Sequence, residues 1–167
     1  FRFEDGFAVE HCDNLQLKKM IPNPSVHTMI DGHVEAADLD KTEANRELVR
    51  SFVDDVLIGG QLDLLEHYID KDGYVEHNPD MSDGVAALRS ALARTDSNGL
   101  RAIHYQTMHR LLAEGNFLLC VSEGFLDGAH SSFYDLFRIA NSKIVEHWDT
   151  TETIPPRSEW KNDNGKF

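Results

Sequence analysis

The chain has 167 residues and a mass of 18.9 kDa, and 41% of it is hydrophobic. That is enough for one ordinary core and argues against both a disordered chain and a multidomain enzyme. Twenty-nine acidic against sixteen basic residues leave a formal charge of −13, so nucleic acid and anionic membrane would have to be recruited against the protein's own field. No apolar run approaches the ~20 residues of a membrane span, and Phe1-Arg2-Phe3-Glu4-Asp5 lacks the basic start and apolar stretch of a signal peptide. A soluble cytoplasmic protein is expected. Cys12 and Cys120 show neither metal spacing nor a disulfide framework and read as reduced packing residues.

The first residues already look like the middle of a strand, and a repeat accounts for this. Phe1-Arg2-Phe3 through Val9-Glu10-His11-Cys12-Asp13 aligns with Phe137-Arg138-Ile139 through Val145-Glu146-His147-Trp148-Asp149 at a constant offset of 136. Similarity resumes at Ile21-Pro22-Asn23-Pro24-Ser25 against Ile154-Pro155-Pro156-Arg157-Ser158. Residues 1–26 are therefore expected to be the last strands of an upstream copy, residues 27–40 a linker with Gly32 and four acidic residues, and residues 41–167 a complete second copy. The plainer alternative is two edge strands of similar composition. Left alone, Phe1 to Leu15 would expose unpaired backbone, so pairing with a sheet edge of this chain or a partner chain is expected.

From Thr42 onward helices come first. Thr42 can cap an amphipathic helix in which Leu48, Val49, Phe52, Val53, Val56 and Leu57 share one face and Gly59-Gly60 ends it. A shorter helical stretch covers Leu62 to Tyr68, followed by a short strand near Gly73 to Glu76 and the turn His77-Asn78-Pro79. Ser82 or Asp83 can cap a third helix through Val85, Leu88 and Leu92 that stops before Asn98-Gly99. The period then changes from 3.6 to 2. Four strand-like runs, 103–113, 117–126, 132–139 and 143–151, are separated by the hairpin signals Gly115-Asn116, Asp127-Gly128 and Asn141-Ser142. The fold class is α+β, with helices packed on one face of a curved antiparallel meander.

Register matters most in the last hairpin. A type I turn with a left-handed bulge residue at Ala140-Asn141-Ser142 sets Ile139 opposite Lys143, Asp135 opposite His147 and Phe133 opposite Asp149. Asp135, His147 and Asp149 then share a face with Phe137 and Val145. A two-residue turn is expected to place Asp135 with Trp148 and Glu146 instead.

Tyr74-Val75-Glu76-His77-Asn78-Pro79, Met108-His109-Arg110, Phe133-Tyr134-Asp135-Leu136-Phe137-Arg138 and Lys143-Ile144-Val145-Glu146-His147-Trp148-Asp149 together resemble the SnoaL-like polyketide cyclases of the nuclear-transport-factor-2-like superfamily. The likeness is nearest to uncharacterised bacterial proteins described as predicted SnoaL-like aldol-condensation enzymes, which share the ending Ile154-Pro155-Pro156-Arg157-Ser158-Glu159-Trp160-Lys161. It covers about residues 42–167. The resemblance implies a cone whose helices close one end and whose curved sheet walls a deep apolar pocket, commonly in a homodimer packed sheet on sheet. It implies that the general acid/base falls on Asp149. Asp135 stands where those cyclases carry a pocket histidine, which is a departure. His77 at the pocket rim and His109 on the neighbouring strand follow from the uncharacterised relatives alone.

These residues suit intramolecular aldol condensation, which takes a proton from a carbon next to a carbonyl and returns one to the developing alkoxide, with no metal, cofactor or covalent intermediate. A carboxylate in an apolar pocket has its pKa raised toward the operating pH, and a second carboxylate beside it raises it further. Asp149 and Asp135 are the catalytic candidates, with His77, His109, His147 and Trp148 binding substrate. A buried structural network of these aspartates with Arg138 or His147 competes with that reading, as does a non-catalytic ligand-binding or dimerisation module of the same fold. No two of the nine histidines have a known metal-ligand spacing. No metal is expected; the expected partners are a small apolar ligand or substrate and a second copy of the chain.

Overall fold

The computed structural model describes residues 1–11 and 13–167; Cys12, read as a packing residue, lies outside the described residues. The elements of the main body are α1 (Thr42–Phe52), α2 (Leu65–Tyr68), β3 (Val75–Glu76), α3 (Val85–Ala93), β4 (Ile103–Glu114), β5 (Phe117–Leu126), β6 (Ala129–Ala140) and β7 (Lys143–Thr153), preceded by a hairpin of β1 (Arg2–Glu4) and β2 (Phe7–Glu10). Three α-helices and a five-stranded sheet give the expected α+β architecture. No described helix is long and apolar enough to cross a membrane.

α1 continues as a π-helical stretch over Val53–Ile58. Together they bury Val49, Phe52, Val53, Val56 and Leu57 against the concave side of the sheet, as the apolar spacing demands. The carbonyls left unpaired at its end are met by Arg101, whose guanidinium donates to Leu57 O and Ile58 O. Two capping expectations are corrected. Thr42 is the first helical residue, and its hydroxyl donates to Leu39 O while accepting from Gly115 N. The residue before α3 is Gly84 at φ +89°, a left-handed position that Ser82 or Asp83 would fill only under strain; Asp83 turns away to accept the Glu76 amide.

Sheet order is β3-β7-β6-β5-β4. β4 to β7 form the expected antiparallel meander, while β3 adds to its edge in parallel, with Glu76 beside His147. Curvature comes from two irregularities in β4, between Tyr105 and Thr107 and between Met108 and Arg110. At the first of these β5 presents Gly124, where a Cβ would stand 2.0 Å from His104 O. The β6–β7 register differs from expectation. Asn141 and Ser142, at φ +50° and +57°, form a two-residue turn that joins Ala140 to Lys143, and a bulge follows between Arg138 and Ile139. Primed two-residue turns match the twist of the strands they join, which is what selects this solution. Asp135 therefore stands opposite Asp149 and Phe133 opposite Thr151. The bulge restores the parity that the turn alone would have inverted. Asp135, Phe137, His147 and Asp149 still share a face, with Ile144 in the place expected of Val145.

In the N-terminal segment the expectation of pairing with a sheet edge of this chain is corrected. Among the described residues β1 and β2 pair with each other and not with an edge of the main sheet. Beyond them the chain runs as a strap along β7 and its outer face. Asn14 donates to Thr150 O, the Thr151 amide donates to Gln16, and Ser132 Oγ meets Asn14. Asn23, which is buried, donates to Glu76 O, and the Ala37 amide donates to Asn116. Residues 27–37, within the stretch 27–40 read as linker, thus lie along the sheet, held by hydrogen bonds at Asp31, His33 and Ala37 while remaining largely exposed.

Candidate active site

Alternation along β4, β6 and β7 sends one set of side chains into the space between sheet and helices. There Tyr105, Phe133, Phe137, Ile144, Phe52 and Leu92 wall an apolar cavity of about 620 Å³ including its mouth, and Asp135, His147, Asp149 and Asn78 are its chemistry-bearing groups. The space inside it open to a water-sized group is about 80 Å³, below the ~300–1,000 Å³ of typical small-molecule sites, so a ligand of that size also occupies the mouth or displaces the lining.

The polar groups form one chain of contacts. His147 has one ring nitrogen 3.0 Å from Glu76 Oε1 and the other 3.1 Å from Asp135 Oδ1. Burial opposes its charge, but the facing carboxylates of Glu76 and Asp135 outweigh burial and hold its pKa well above the usual histidine value. His147 is thus an imidazolium donating to both. Glu76 is held below the usual carboxylate range, with the opposing effect of burial overcome by His147, and it also accepts from the Asn78 amide and the Tyr74 hydroxyl. Tyr105 donates to the Asp135 oxygen that His147 contacts, at 2.9 Å. Burial pushes the pKa of both tyrosines far up, so each stays a proton donor.

Asp149 is the exception in this network. Its Oδ2 accepts from Asn78 Nδ2 at 2.7 Å, and burial, reinforced by the charges of Glu76 and Asp135 against the opposing His147, lifts its pKa to about 6. Asp149 Oδ1 and Asp135 Oδ2 are the two buried side-chain oxygens among the described residues that lack a hydrogen-bond partner. Both belong to cavity residues on directly opposed strand positions. A buried, unmatched acceptor costs ~1–3 kcal/mol, so this pair holds unused hydrogen-bonding capacity where a ligand would sit.

Asp149, Asp135 and His147 are brought together as the sequence suggested. The other three candidates are placed elsewhere. His77 follows Glu76 on an extended segment and so points to the opposite side of the sheet, where it is buried and stacked on Trp148 with ring centroids 4.6 Å apart. Trp148, between His147 and Asp149, is outward for the same reason and donates to Asp31 O. His109 lies at the second β4 irregularity, paired with Glu123 at 2.9 Å and stacked on Phe167. Arg138 contacts Glu146 at 2.6 Å on the outer side, away from Asp135 and Asp149. Cys120 is buried opposite Asp135, and burial, then Asp135, pushes its thiol to about 12, which fits packing. Glu76, Asn78 and Tyr105 complete the site and were not singled out from the sequence; the parity of Glu76 with His147 on neighbouring strands is the signal that would have found Glu76.

No protein-family model matches the chain, and no curated protein matches it. Solved structures do. A candidate ketosteroid isomerase from Kribbella flavida DSM 17836 superposes with a TM-score of 0.58 at 17% identity, over 75% of this chain and 92% of that one. The chain has the nuclear-transport-factor-2-like fold. An NTF-2 like protein of unknown function from Burkholderia xenovorans LB400 gives 0.56 at 16% identity over 75% and 99% of the two chains. A candidate SnoaL-like polyketide cyclase from Jannaschia sp. CCS1 gives 0.51 at 14% identity over 72% and 92%. At these identities the likeness is one of fold, and the chemistry of this NTF2-like chain has to be argued from its own cavity.

Proposed function

We propose that this chain is a cofactor-independent acid–base enzyme of the SnoaL type, catalysing an isomerase- or cyclase-like step, such as an intramolecular aldol condensation, on an apolar carbonyl compound. The observation that carries the reading is the opposed pair Asp135 and Asp149, each with one unpartnered buried oxygen in an apolar cavity, with Asp149 raised to about 6. A base with a pKa just below neutrality is mostly ionised at pH 7 yet a better proton acceptor than an ordinary aspartate.

In this reading Asp149 Oδ1 takes a proton from the carbon next to the substrate carbonyl, and the C–H electron pair moves into the enolate. The negative charge passes from carboxylate to substrate without changing the site's total. The enolate carbon attacks a second carbonyl of the same molecule, and the alkoxide formed recovers the proton from Asp149 to give the β-hydroxy ketone; a condensation is completed when this product loses its α-proton and hydroxyl as water. Asn78, bound to Oδ2, orients the carboxyl group. Asp135, fixed by His147 and Tyr105, positions Asp149 electrostatically by keeping its proton affinity high. Isomerisation uses the same first step with the proton returned to a different carbon.

The experiment is uptake of solvent deuterium at the α-carbon of a panel of apolar ketones and 1,3-diketones, followed by NMR. Asp149→Asn is expected to lower the exchange rate by about 10²–10⁴-fold, the usual contribution of a general base, while ligand binding is kept. Exchange at an undiminished rate in that variant would remove Asp149 from its role.

A further inference from the structure

On the other side of the sheet, His27, Asp31 and His77 offer three potential metal-ligand atoms, all within 4.8 Å of one another. Nδ1 of His77 lies 2.9 Å from Asp31 Oδ1 and 2.9 Å from the Thr28 carbonyl oxygen. A tetrahedral ion with bonds of ~2.0–2.1 Å sets its ligand atoms ~3.3 Å apart, and both distances from His77 Nδ1 are already near that edge length. The His27 ring stands edge-on to that of His77, centroids 5.2 Å apart, and its remaining contact is Asp83 at 3.4 Å. A ring nitrogen of His27, within 4.8 Å of the ligand atoms of Asp31 and His77, is the remaining candidate ligand.

The surroundings are those of a constructed site. His77 is fully buried at its side chain, and its second nitrogen is fixed by Glu146 at 2.9 Å, which is itself held by Arg138. An imidazole oriented by a carboxylate on its far nitrogen is the usual support of a metal-binding histidine. The turn that carries His27 is fastened by Asn23, whose Oδ1 accepts the Ser25 and His27 amides while its Nδ2 donates to Glu76 O. Gly32, at φ +106°, lets the strap pass close over the His77–Trp148 stack: a Cβ there would fall 2.4 Å from Glu146 Oε1 and 2.6 Å from the Trp148 ring. His109, Glu123 and His130, the other histidine cluster, have both histidine Nε2 atoms on the two oxygens of one carboxylate and do not converge in this way.

We propose that His27, Asp31 and His77, with the Thr28 carbonyl, bind a zinc ion that staples the strap to β3 and β7. Two imidazoles, one carboxylate and one carbonyl suit a borderline divalent ion better than magnesium or calcium, which favour all-oxygen sites. The ion lies across the sheet from the cavity and so acts on the attachment of the strap and not on the reaction.

The test uses the full chain, stripped with chelator, dialysed, and titrated with Co²⁺ and then Zn²⁺ in physiological salt with excess Mg²⁺, which suppresses loose binding by the acidic surface. One Co²⁺ per chain with the intense visible bands of four-coordination, displaced by Zn²⁺, is expected. His27→Ala and Asp31→Asn should each weaken binding about tenfold or more, and His109→Ala should leave it unchanged. These are exposed or half-exposed ligands, so the variants keep the buried His77–Glu146 pair. Absence of saturable Zn²⁺ binding, or undiminished affinity in the His27→Ala/Asp31→Asn double variant, overturns the site.

Discussion

β3 and β7 carry the same two residue types in the same order, Glu76-His77 and Glu146-His147, and the parallel pairing of Glu76 with His147 splits them between the faces of the sheet. Inside, Glu76 meets His147; outside, Glu146 meets His77. The two pairs differ in what else is near. The outer pair has Arg138 on Glu146 and the strap on His77, and it lacks any buried unpartnered oxygen among the described residues. The inner pair has two further carboxylates, Asp135 and Asp149, and a single cationic group to share among three anions. One pair is therefore neutralised and holds structure, whereas the other leaves Asp149 with a pKa of about 6. Burial of Asp149, with the charges of Glu76 and Asp135 adding to it, and not the presence of a Glu–His pair, distinguishes the cavity face.

The largest expected effect comes from removing one carboxylate from each face. Glu76→Gln leaves the His147 imidazolium with Asp135 as its one hydrogen-bonded carboxylate at a buried position, and breaking a buried pair in this way costs about 3–5 kcal/mol. Glu146→Gln leaves Arg138 with a route to solvent and His77 with its other partners, for which about 1–3 kcal/mol is expected. Urea unfolding of both variants at pH 7 measures the difference; equal losses would erase the distinction between the faces.

Removing the charge of Asp149 is expected to stabilise the chain. The folded pKa of Asp149 lies above the ordinary carboxylate value, so the group favours folding when protonated, at low pH, and this advantage is lost as pH rises through about 6. Above that range ionised Asp149 is a liability of up to about 3 kcal/mol, the size of a two-unit shift. Asp149→Asn should therefore unfold at higher urea than the native chain at pH 8, and the advantage should vanish by pH 4. His147, raised by its carboxylates, has a related pH dependence: its contribution is complete below the unfolded histidine value and is lost only as pH climbs through the much higher folded value. A variant no more stable at pH 8 would show that Asp149 is ordinary.

Helix spans, strand spans and the shared face of Asp135, His147 and Asp149 were legible because they rest on periodicity, which is local. Three things were not. The position of β3 beside β7 joins segments far apart in the chain, and no pattern in Tyr74-Val75-Glu76-His77 announces its partner, which leaves Glu76 without a signal and sets His77 and Trp148 among the pocket candidates. Adjacent residues on a strand face opposite ways, and treating Glu146-His147-Trp148-Asp149 as one motif hid that. Residues 1–26 read as a strand remnant and residues 27–40, polar and glycine-bearing, as a linker; the burial of Asn23 and the close approach at Gly32 that fasten them as a strap are tertiary facts with no periodic signature.

The register itself supplies the smallest and most discriminating test. Ser142 at φ +57° occupies a left-handed position that costs a non-glycine residue about 1–2 kcal/mol, partly offset by the ~0.5–1 kcal/mol that glycine loses in entropy. Ser142→Gly is therefore expected to stabilise the chain by up to about 1 kcal/mol, read as a small rise in Tm. The same glycine would also admit a three-residue turn with a bulge, which sets Asp149 opposite Phe133 and withdraws it from Asp135. If the bulge between Arg138 and Ile139 holds the ladder, the carbon-13 titration of Asp149 in Ser142→Gly stays where it is in the native chain. A fall in its pKa would show that the turn alone sets the register, and that the opposition of the two aspartates depends on Ser142.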